Sequence, residues 1–125
     1  MPPDAFVKFA SLLAAPFIGS FLGTLALRLP KGEPVVGGRS ACPACGHVLG
    51  PLELIPLASW AIQRGRCRAC GAAIPIFYPA IELAALAVAA AAAVTASGAG
   101  FYLACVIGWA LLVPAAMAAL RLLRR

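Results

Sequence analysis

Charge is the scarcest property of this 125-residue chain. Only 11% of its residues are Asp, Glu, Lys or Arg, whereas 63% are hydrophobic, and the mean hydropathy is +0.98. In soluble domains about a quarter of all residues are charged, so this composition excludes an ordinary water-soluble globular domain. A lipid bilayer is the natural solvent for such a chain.

Two stretches lack charge altogether. Residues 9 to 27 run for 19 positions and residues 83 to 120 for 38 positions without a charged side chain. About 20 apolar residues are enough for one membrane crossing, and SGAG at residues 97 to 100 supplies a turn within the longer stretch. The sequence therefore predicts an all-α integral membrane protein, one domain of residues 1 to 125, with three transmembrane helices at about residues 6 to 27, 76 to 96 and 101 to 120.

Positive charge is unevenly distributed. Six of the ten Lys and Arg residues lie in the loop of residues 28 to 75, and three lie in the C-terminal tail. Three spans place this loop and the tail on one side, and short cytoplasmic segments retain Lys and Arg. We therefore expect both to be cytoplasmic and the N-terminus to be outside. The net charge of +6 is explained by this topology and by anionic lipid, so no nucleic-acid partner is predicted.

A cleaved signal peptide is the alternative interpretation of the first apolar segment. Its apolar run is longer than the core of a usual signal peptide, and basic residues follow it, where they oppose export. These two features favour a retained membrane helix.

Four of the five cysteines stand in two copies of C-x-A-C-G, which begin at residues 42 and 67. Two CxxC pairs separated by 21 residues are typical of four-cysteine zinc sites, in which each pair supplies two thiolates from a tight turn. The predicted ligands are Cys42, Cys45, Cys67 and Cys70. Four sulfurs close the coordination shell, so the zinc would be structural. Disulfides and an iron tetrathiolate are the alternatives.

Three other features of the chain have competing interpretations. His47 is a donor beside the metal site, a fifth ligand or a solvated side chain. The segment of residues 51 to 66 is apolar at helical spacing but contains Pro56. It predicts either a short amphipathic helix on the membrane, with Trp60 at the interface, or a packed lid over the cysteine pairs. Cys105 is interpreted as a small buried apolar side chain.

Four segments resemble, in order, one known family. They are GSFLGTLALRLP at 19 to 30, RSACPACG at 39 to 46, LELIPLASW at 52 to 60 and GRCRACGAAIPIFYPAIE at 65 to 82. The chain is similar to the N-terminal part of the bifunctional type IV prepilin peptidases, the leader peptidase and N-methyltransferase enzymes of type IV pilus and type II secretion systems. The resemblance implies a bacterial inner-membrane protein with zinc at the four cysteines. It also implies methylation of the N-terminal amine of a prepilin or pseudopilin from S-adenosylmethionine.

The chain departs from the family pattern at several positions. Gly23 stands where the family usually has Asn, Glu53 where it has Asp, and Phe77 where it has Arg. Family members also continue through helices that carry two catalytic aspartates, whereas this chain contains a single aspartate, Asp4. Aspartyl proteolysis needs two carboxyl groups sharing a proton. We therefore expect no leader cleavage by this chain alone, and a separately encoded aspartyl peptidase is an expected partner.

Glu82 and Glu53 are the candidate catalytic residues. Glu82 lies near the start of the second predicted span, where a charge is costly unless it is paired or functional. A structural ion pair with Arg28 is one interpretation. The other is that Glu82 or Glu53 orients or deprotonates the prepilin α-amine, because only the neutral amine is nucleophilic. A site for S-adenosylmethionine is implied by the resemblance alone, since no glycine fingerprint of a nucleotide-binding fold is present.

Two further functions remain open at this point. The chain could be a non-catalytic, zinc-stabilised membrane adaptor for the peptidase, with Gly19-x3-Gly23 as a small-residue face for a partner's helix. It could also be a truncated and degenerate homologue, which would be unstable in isolation.

Overall fold

The computed structural model describes residues 1 to 125 and consists of helices and irregular loops, with two isolated β-bridges and no strand. Its α-helices are α1 (Pro3–Arg28), α2 (Ala58–Ile62), α3 (Phe77–Thr95) and α4 (Gly98–Leu123). Three of them, α1, α3 and α4, are long and apolar enough to cross a membrane by length and composition. The prediction of an all-α protein with three such helices is confirmed.

The long helices start and stop close to the predicted positions, with small differences at the ends. α1 begins three residues earlier than predicted, because Pro3 fits the first helical turn and Asp4 carries a favourable charge there. α4 extends beyond Leu120 and includes Arg121 in its last turn, where a cation interacts favourably with the helix dipole. The apolar run of the sequence therefore ends before Arg121, whereas the helix continues to Leu123.

α1 packs against α3 through residues that lack bulk. A Cβ atom added to Gly19 would lie 2.8 Å from the Cα atom of Glu82 and from the carbonyl oxygen of Ile81, and one added to Gly23 would lie 3.0 Å from Ile81. Small residues allow such close approach of two backbones in a membrane. The Gly19-x3-Gly23 face is thus occupied by α3 of the same chain, so its interpretation as a docking face for a partner is wrong.

α4 closes the three-helix bundle. Phe101 and Cys105 are buried beside Ala92 of α3, and the Trp109 indole N–H donates a 3.0 Å hydrogen bond to the Ala85 carbonyl oxygen. Cys105 is 4% exposed, which confirms its interpretation as a buried side chain. The bundle holds the N-terminal half of α3 against α1, and this contact positions Glu82.

Candidate metal centre and interhelical cavity

The two cysteine cassettes fold into turns with the same backbone hydrogen bonds, and we call these turns the knuckles (residues 40 to 49 and 65 to 74). In each knuckle the glycine N–H donates to the first cysteine's carbonyl oxygen at 2.9 Å, and the first cysteine's N–H donates to the carbonyl oxygen of the residue after the glycine. A further bond closes each turn, from Leu49 N–H to Ser40 in one and from Ile74 N–H to Gly65 in the other.

The glycine after each cysteine pair has the backbone conformation that this turn requires. Gly46 and Gly71 both have φ of 75°, in the left-handed region that residues with a side chain rarely adopt. The repeated sequence is therefore a repeated turn, and each copy presents two sulfur atoms to the same point.

The four sulfur atoms of the knuckles form one cluster. All Sγ atoms lie within 4.8 Å of one another, with Cys42 3.8 Å from Cys70 and Cys45 3.9 Å from Cys67. Sulfurs at about 2.3 Å from a tetrahedral zinc ion would be about 3.8 Å apart, whereas a disulfide needs about 2.05 Å. All the cysteines are free, so the disulfide alternative is not formed. The cluster has the composition and dimensions to hold a metal ion.

Two thiols of the cluster, those of Cys42 and Cys45, have pKa values shifted in opposite directions. Backbone N–H groups of Cys45 and Ala44 lower the pKa of Cys42 to about 7. At Cys45 the N–H of His47 lowers the pKa, but burial and three neighbouring sulfurs outweigh it and raise the pKa to about 12. Like charges in one site oppose each other, whereas a coordinated metal ion holds its thiols deprotonated. The four sulfurs therefore match the needs of a divalent cation.

His47 ties the first knuckle to the segment that follows it. Its Nε2 atom lies 3.0 Å from Oε2 of Glu53, whose side chain is 7% exposed, and the Gly50 N–H donates to the same oxygen at 2.8 Å. The Gly50 N–H and the His47 hydrogen bond hold the pKa of Glu53 below its usual value. Of the three interpretations of His47, the structure supports a polar group beside the metal cluster. Both Glu53 oxygens already have partners.

The segment between the knuckles, which we call the lid, contacts the second knuckle through Trp60. A 3-10 turn at Pro51–Leu54 is followed by a break at Pro56 and by α2, which has only five residues. The Trp60 indole N–H donates to the Ile74 carbonyl oxygen at 3.3 Å, and a Cβ atom on Gly65 would lie 2.9 Å from the Trp60 ring. Trp60 therefore packs on the second knuckle, while Leu52 and Ile62 on the same segment stay exposed, so contact of the segment with a membrane surface remains a prediction.

A strained turn points one backbone N–H at Glu82. Leu57 has φ of 61° and ψ of −53°, and the Ala58 N–H donates to the Pro56 carbonyl oxygen at 2.6 Å, which defines a γ-turn with positive φ. The Leu57 N–H donates to Oε2 of Glu82 at 2.8 Å, and Glu82 is 6% exposed. This bond joins the lid to a membrane helix.

The ion pair between Arg28 and Glu82, one of the two interpretations of Glu82, is not formed. The Arg28 guanidinium donates to the Pro34 carbonyl oxygen at 2.9 Å, which ties the end of α1 to the start of the loop. The structure contains no salt bridge to Glu82. The loop entry competes for Arg28, because the Pro34 carbonyl oxygen, six residues further along the chain, lies within reach of the guanidinium.

A cavity of about 430 Å³ lies between the knuckles, the lid, α1 and α3. Its walls include both candidate acids, Glu53 and Glu82, two basic residues, Arg28 and Lys31, and the residues Trp60, Gln63 and Tyr78. Pockets that take small molecules have volumes of about 300 to 1,000 Å³. The structure thus brings the two acids to one site. Gln63 had no signal in the sequence, because burial of an amide depends on the packing of the lid.

Comparison with known proteins assigns the chain to a family. The model of the bacterial peptidase A24 N-terminal domain matches residues 13–96. The match covers more than half of the chain, so the chain belongs to this family. No solved protein structure matches it significantly.

Curated relatives match between about half and three quarters of the chain. The chain is similar to prepilin leader peptidase/N-methyltransferases from Myxococcus xanthus (50% identity over 53% of this chain and 20% of the relative), Bacillus subtilis (42% over 62% and 31%) and Burkholderia pseudomallei strain 1026b (48% over 74% and 38%). It spans about a fifth to two fifths of the length of these relatives. The resemblance inferred from the sequence is confirmed.

Proposed function

We propose that this chain acts in type IV prepilin processing by methylating the N-terminal amine of a prepilin or pseudopilin. The observation that supports the proposal is the cavity between the long helices and the knuckles, since Glu82 and Glu53 both line it. Membership of the peptidase A24 N-terminal domain family supports the same role. The proposed unit is a single domain of residues 1 to 125.

The proposed metal is zinc, and its proposed role is structural. The sulfur separations of 3.8 and 3.9 Å fit a tetrahedral tetrathiolate, in which no position is left for water or substrate. Binding would hold the two knuckles together and thereby shape one wall of the cavity. A metal analysis of the purified protein that finds zinc alone would exclude iron in the same cluster.

The proposed location is the bacterial inner membrane, with the knuckles and the C-terminus in the cytoplasm and the N-terminus outside. Three apolar helices and the family assignment support a multi-pass membrane protein. Nine of the ten Lys and Arg residues lie on the proposed cytoplasmic side, where anionic lipid attracts them. Thiol ligands would remain reduced there.

Glu82 is the proposed group that receives the proton of the prepilin amine, with Glu53 as the second candidate. The N-terminal ammonium would give up one proton to the carboxylate and become the neutral amine that can act as a nucleophile. Glu82 has one oxygen bonded to the Leu57 N–H and no bonded cation, so it retains acceptor capacity. Both oxygens of Glu53 lie within hydrogen-bonding distance of His47, so Glu53 would act indirectly, by fixing the position of the first knuckle.

S-adenosylmethionine, when bound, would supply the methyl group. The cavity has a suitable volume for such a ligand, and Trp60 and Tyr78 on its walls would contact the aromatic base.

The test uses the protein reconstituted in lipid vesicles with a prepilin peptide and S-adenosylmethionine, and mass spectrometry detects the added methyl group. Glu82→Gln should lower the methylation rate about a hundredfold or more, because Gln can still accept the Leu57 N–H bond but cannot take a proton. Glu33→Gln is the matched control. Glu33 lines the same cavity but is exposed and lies 4.0 Å from Lys31, so this variant should keep the parent rate.

The outcomes separate the proposed functions. Equal methylation by the parent and Glu82→Gln would show that the assigned role of Glu82 is wrong. A parent protein that binds zinc and co-purifies with prepilin or with a separate aspartyl peptidase, but does not methylate, would support the adaptor. An unstable protein with no zinc would support the degenerate homologue.

A further inference from the structure

The lid leaves several large apolar side chains without a partner in the chain. Leu52 and Ile62 are 72% and 80% exposed, and Leu54 and Ile55 are exposed as well. A single exposed apolar side chain is common on a protein surface, whereas several in one short segment mark a contact surface. The lid therefore faces a partner that the rest of this chain does not supply.

Two arginines border the same surface. Arg66 and Arg68 are both exposed, and neither forms a salt bridge. Together with Leu52, Ile55 and Ile62 they line a groove of about 490 Å³, which we call the lid groove. The lid groove thus combines apolar side chains with positive charge.

The one acid in the lid groove offsets at most one of the two arginine charges. The charge of Arg68 helps to lower the pKa of Glu53, but the Glu53 side chain is only 7% exposed and already bonds to His47. A guanidinium has five N–H donors in a planar fork that matches a phosphate group. Arg66 uses one of them, in a 3.5 Å bond to the Gly71 carbonyl oxygen. The groove therefore retains positive charge and free donors for an anion.

A hydrogen bond fixes the height of the lid relative to α3. Glu82, which accepts the Leu57 N–H, is the sixth residue of α3. The bond thus holds Leu57 beside the first two turns of α3, which span roughly 8 to 11 Å of helix axis. The 19 residues of α3 are about 28 Å long and match a hydrocarbon core of about 30 Å. The lid therefore begins at the height where lipid headgroups meet acyl chains.

We propose that the lid groove binds an anionic phospholipid of the membrane that α3 crosses. Arg66 and Arg68 bind the headgroup phosphate, and Leu52, Ile55 and Ile62 contact the acyl chains. A free phosphate would leave the apolar side chains in water, and a zwitterionic lipid brings a cation that opposes the arginines. An acidic protein segment could match the charge, but lipid is already present at the height of the lid. The inference goes beyond prepilin methylation and does not depend on it.

Photolabelling locates the lipid contact. The full chain is reconstituted in phosphatidylcholine vesicles that contain an equal amount of one of two probes, phosphatidylglycerol or phosphatidylcholine with a diazirine in the acyl chain. Mass spectrometry of the digested protein compares labelling of residues 52 to 62 with labelling of α4, the membrane reference. Phosphatidylglycerol should label the lid about fivefold more than phosphatidylcholine does, because only the anionic lipid is attracted by the arginines.

A double substitution tests the charged half of the groove. Arg66→Gln with Arg68→Gln should lower lid labelling by phosphatidylglycerol about fivefold, to the level of phosphatidylcholine. The matched control is Arg124→Gln with Arg125→Gln, which removes the same charge from the C-terminal tail. The control should leave lid labelling unchanged, whereas a response to the overall charge of the protein would lower labelling in both variants.

A second double substitution tests the apolar half. Leu52→Ser with Ile62→Ser should lower lid labelling by both lipids, because the acyl chains lose their contacts. Substitution of exposed side chains changes stability little, so hydrogen exchange across the knuckles should match the parent in every variant. Where exchange is faster, the single substitutions Arg68→Gln and Ile62→Ser repeat the test with a smaller perturbation.

Equal labelling of the lid by the two lipids would overturn the proposed anionic lipid. Labelling that is unchanged in Arg66→Gln with Arg68→Gln would overturn the assigned site. An unlabelled lid, in a protein that binds a poly-glutamate peptide through the same arginines, would replace the lipid by an acidic protein segment. Each measurement is made without prepilin or S-adenosylmethionine, so failure of the proposed methylation leaves the lipid site standing.

Discussion

The membrane bundle and the knuckle loop differ in what holds them together. Of residues 29 to 76 only Pro56, Gly65 and Cys67 are buried, whereas the other buried residues all lie on α1, α3 and α4. A segment with so little buried apolar surface cannot offset its loss of conformational entropy by burial alone. The comparison indicates that the loop depends on its sulfur cluster and hydrogen bonds, and that the bundle depends on close helix packing.

The cavity lies where these two regions meet. Side-chain hydrogen bonds join them at two points, Leu57 to Glu82 and Arg28 to Pro34. Because only these two side-chain hydrogen bonds link them, we expect unfolding of one region to have little effect on the other. Changes in the loop should alter the cavity while the bundle stays folded, and changes in the bundle should move Glu82 directly.

The largest expected effect comes from removing a metal ligand. Cys67→Ser should abolish stoichiometric zinc binding and unfold the knuckles, because metal binding to such sites supplies about 10 to 16 kcal/mol of apparent free energy. Hydrogen exchange should become fast across residues 40 to 74 and stay slow across α1, α3 and α4. Cys105→Ser is the control, since Cys105 is also buried but lies in α4. Persistent protection of the knuckles in Cys67→Ser would refute the dependence on metal.

The next effect comes from the helix crossing. Gly19→Ala should destabilise the bundle by about 1 to 3 kcal/mol, because the new Cβ would lie 2.8 Å from backbone atoms of α3. Thermal unfolding in detergent measures the change. Gly100→Ala places a Cβ no closer than 3.8 Å to a neighbour and should leave stability unchanged or slightly raised. If the two variants had the same thermal stability, the close contact between α1 and α3 would not contribute to the stability of the bundle.

The smallest expected effect is a pH dependence confined to the first knuckle. The pKa of Glu53 is lower in the folded protein than its ordinary value of about 4.5. Its stabilisation is therefore fully present above that value and is lost as the pH falls toward the folded pKa. Zinc release to a chelator should be slower for the parent than for Glu53→Gln at neutral pH. The difference should shrink as the pH falls below about 4.5. A difference that does not change with pH would contradict this role.

The sequence predicted the helices and the metal cluster well, but it predicted contacts between distant residues poorly. Uncharged runs located all three long helices, and the repeated C-x-A-C-G located the four sulfurs, because both signals are local. The pair between Arg28 and Glu82 was wrong, since the nearby Pro34 carbonyl competes for the guanidinium. The role of Trp60 stayed undecided until the packing of Gly65 was seen.

Local chemistry alone thus determined the membrane class of this protein, its three helices, its paired thiol turns and its family. These follow from hydropathy, from the conformational freedom of Gly46 and Gly71, and from the spacing of cysteines along the chain. Only the tertiary structure decided that Glu53, Gln63 and Glu82 line one cavity and that α3 packs directly against Gly19. Such contacts depend on how the lid and helices pack, and residues that are 10 to 29 positions apart carry no local signal of that packing.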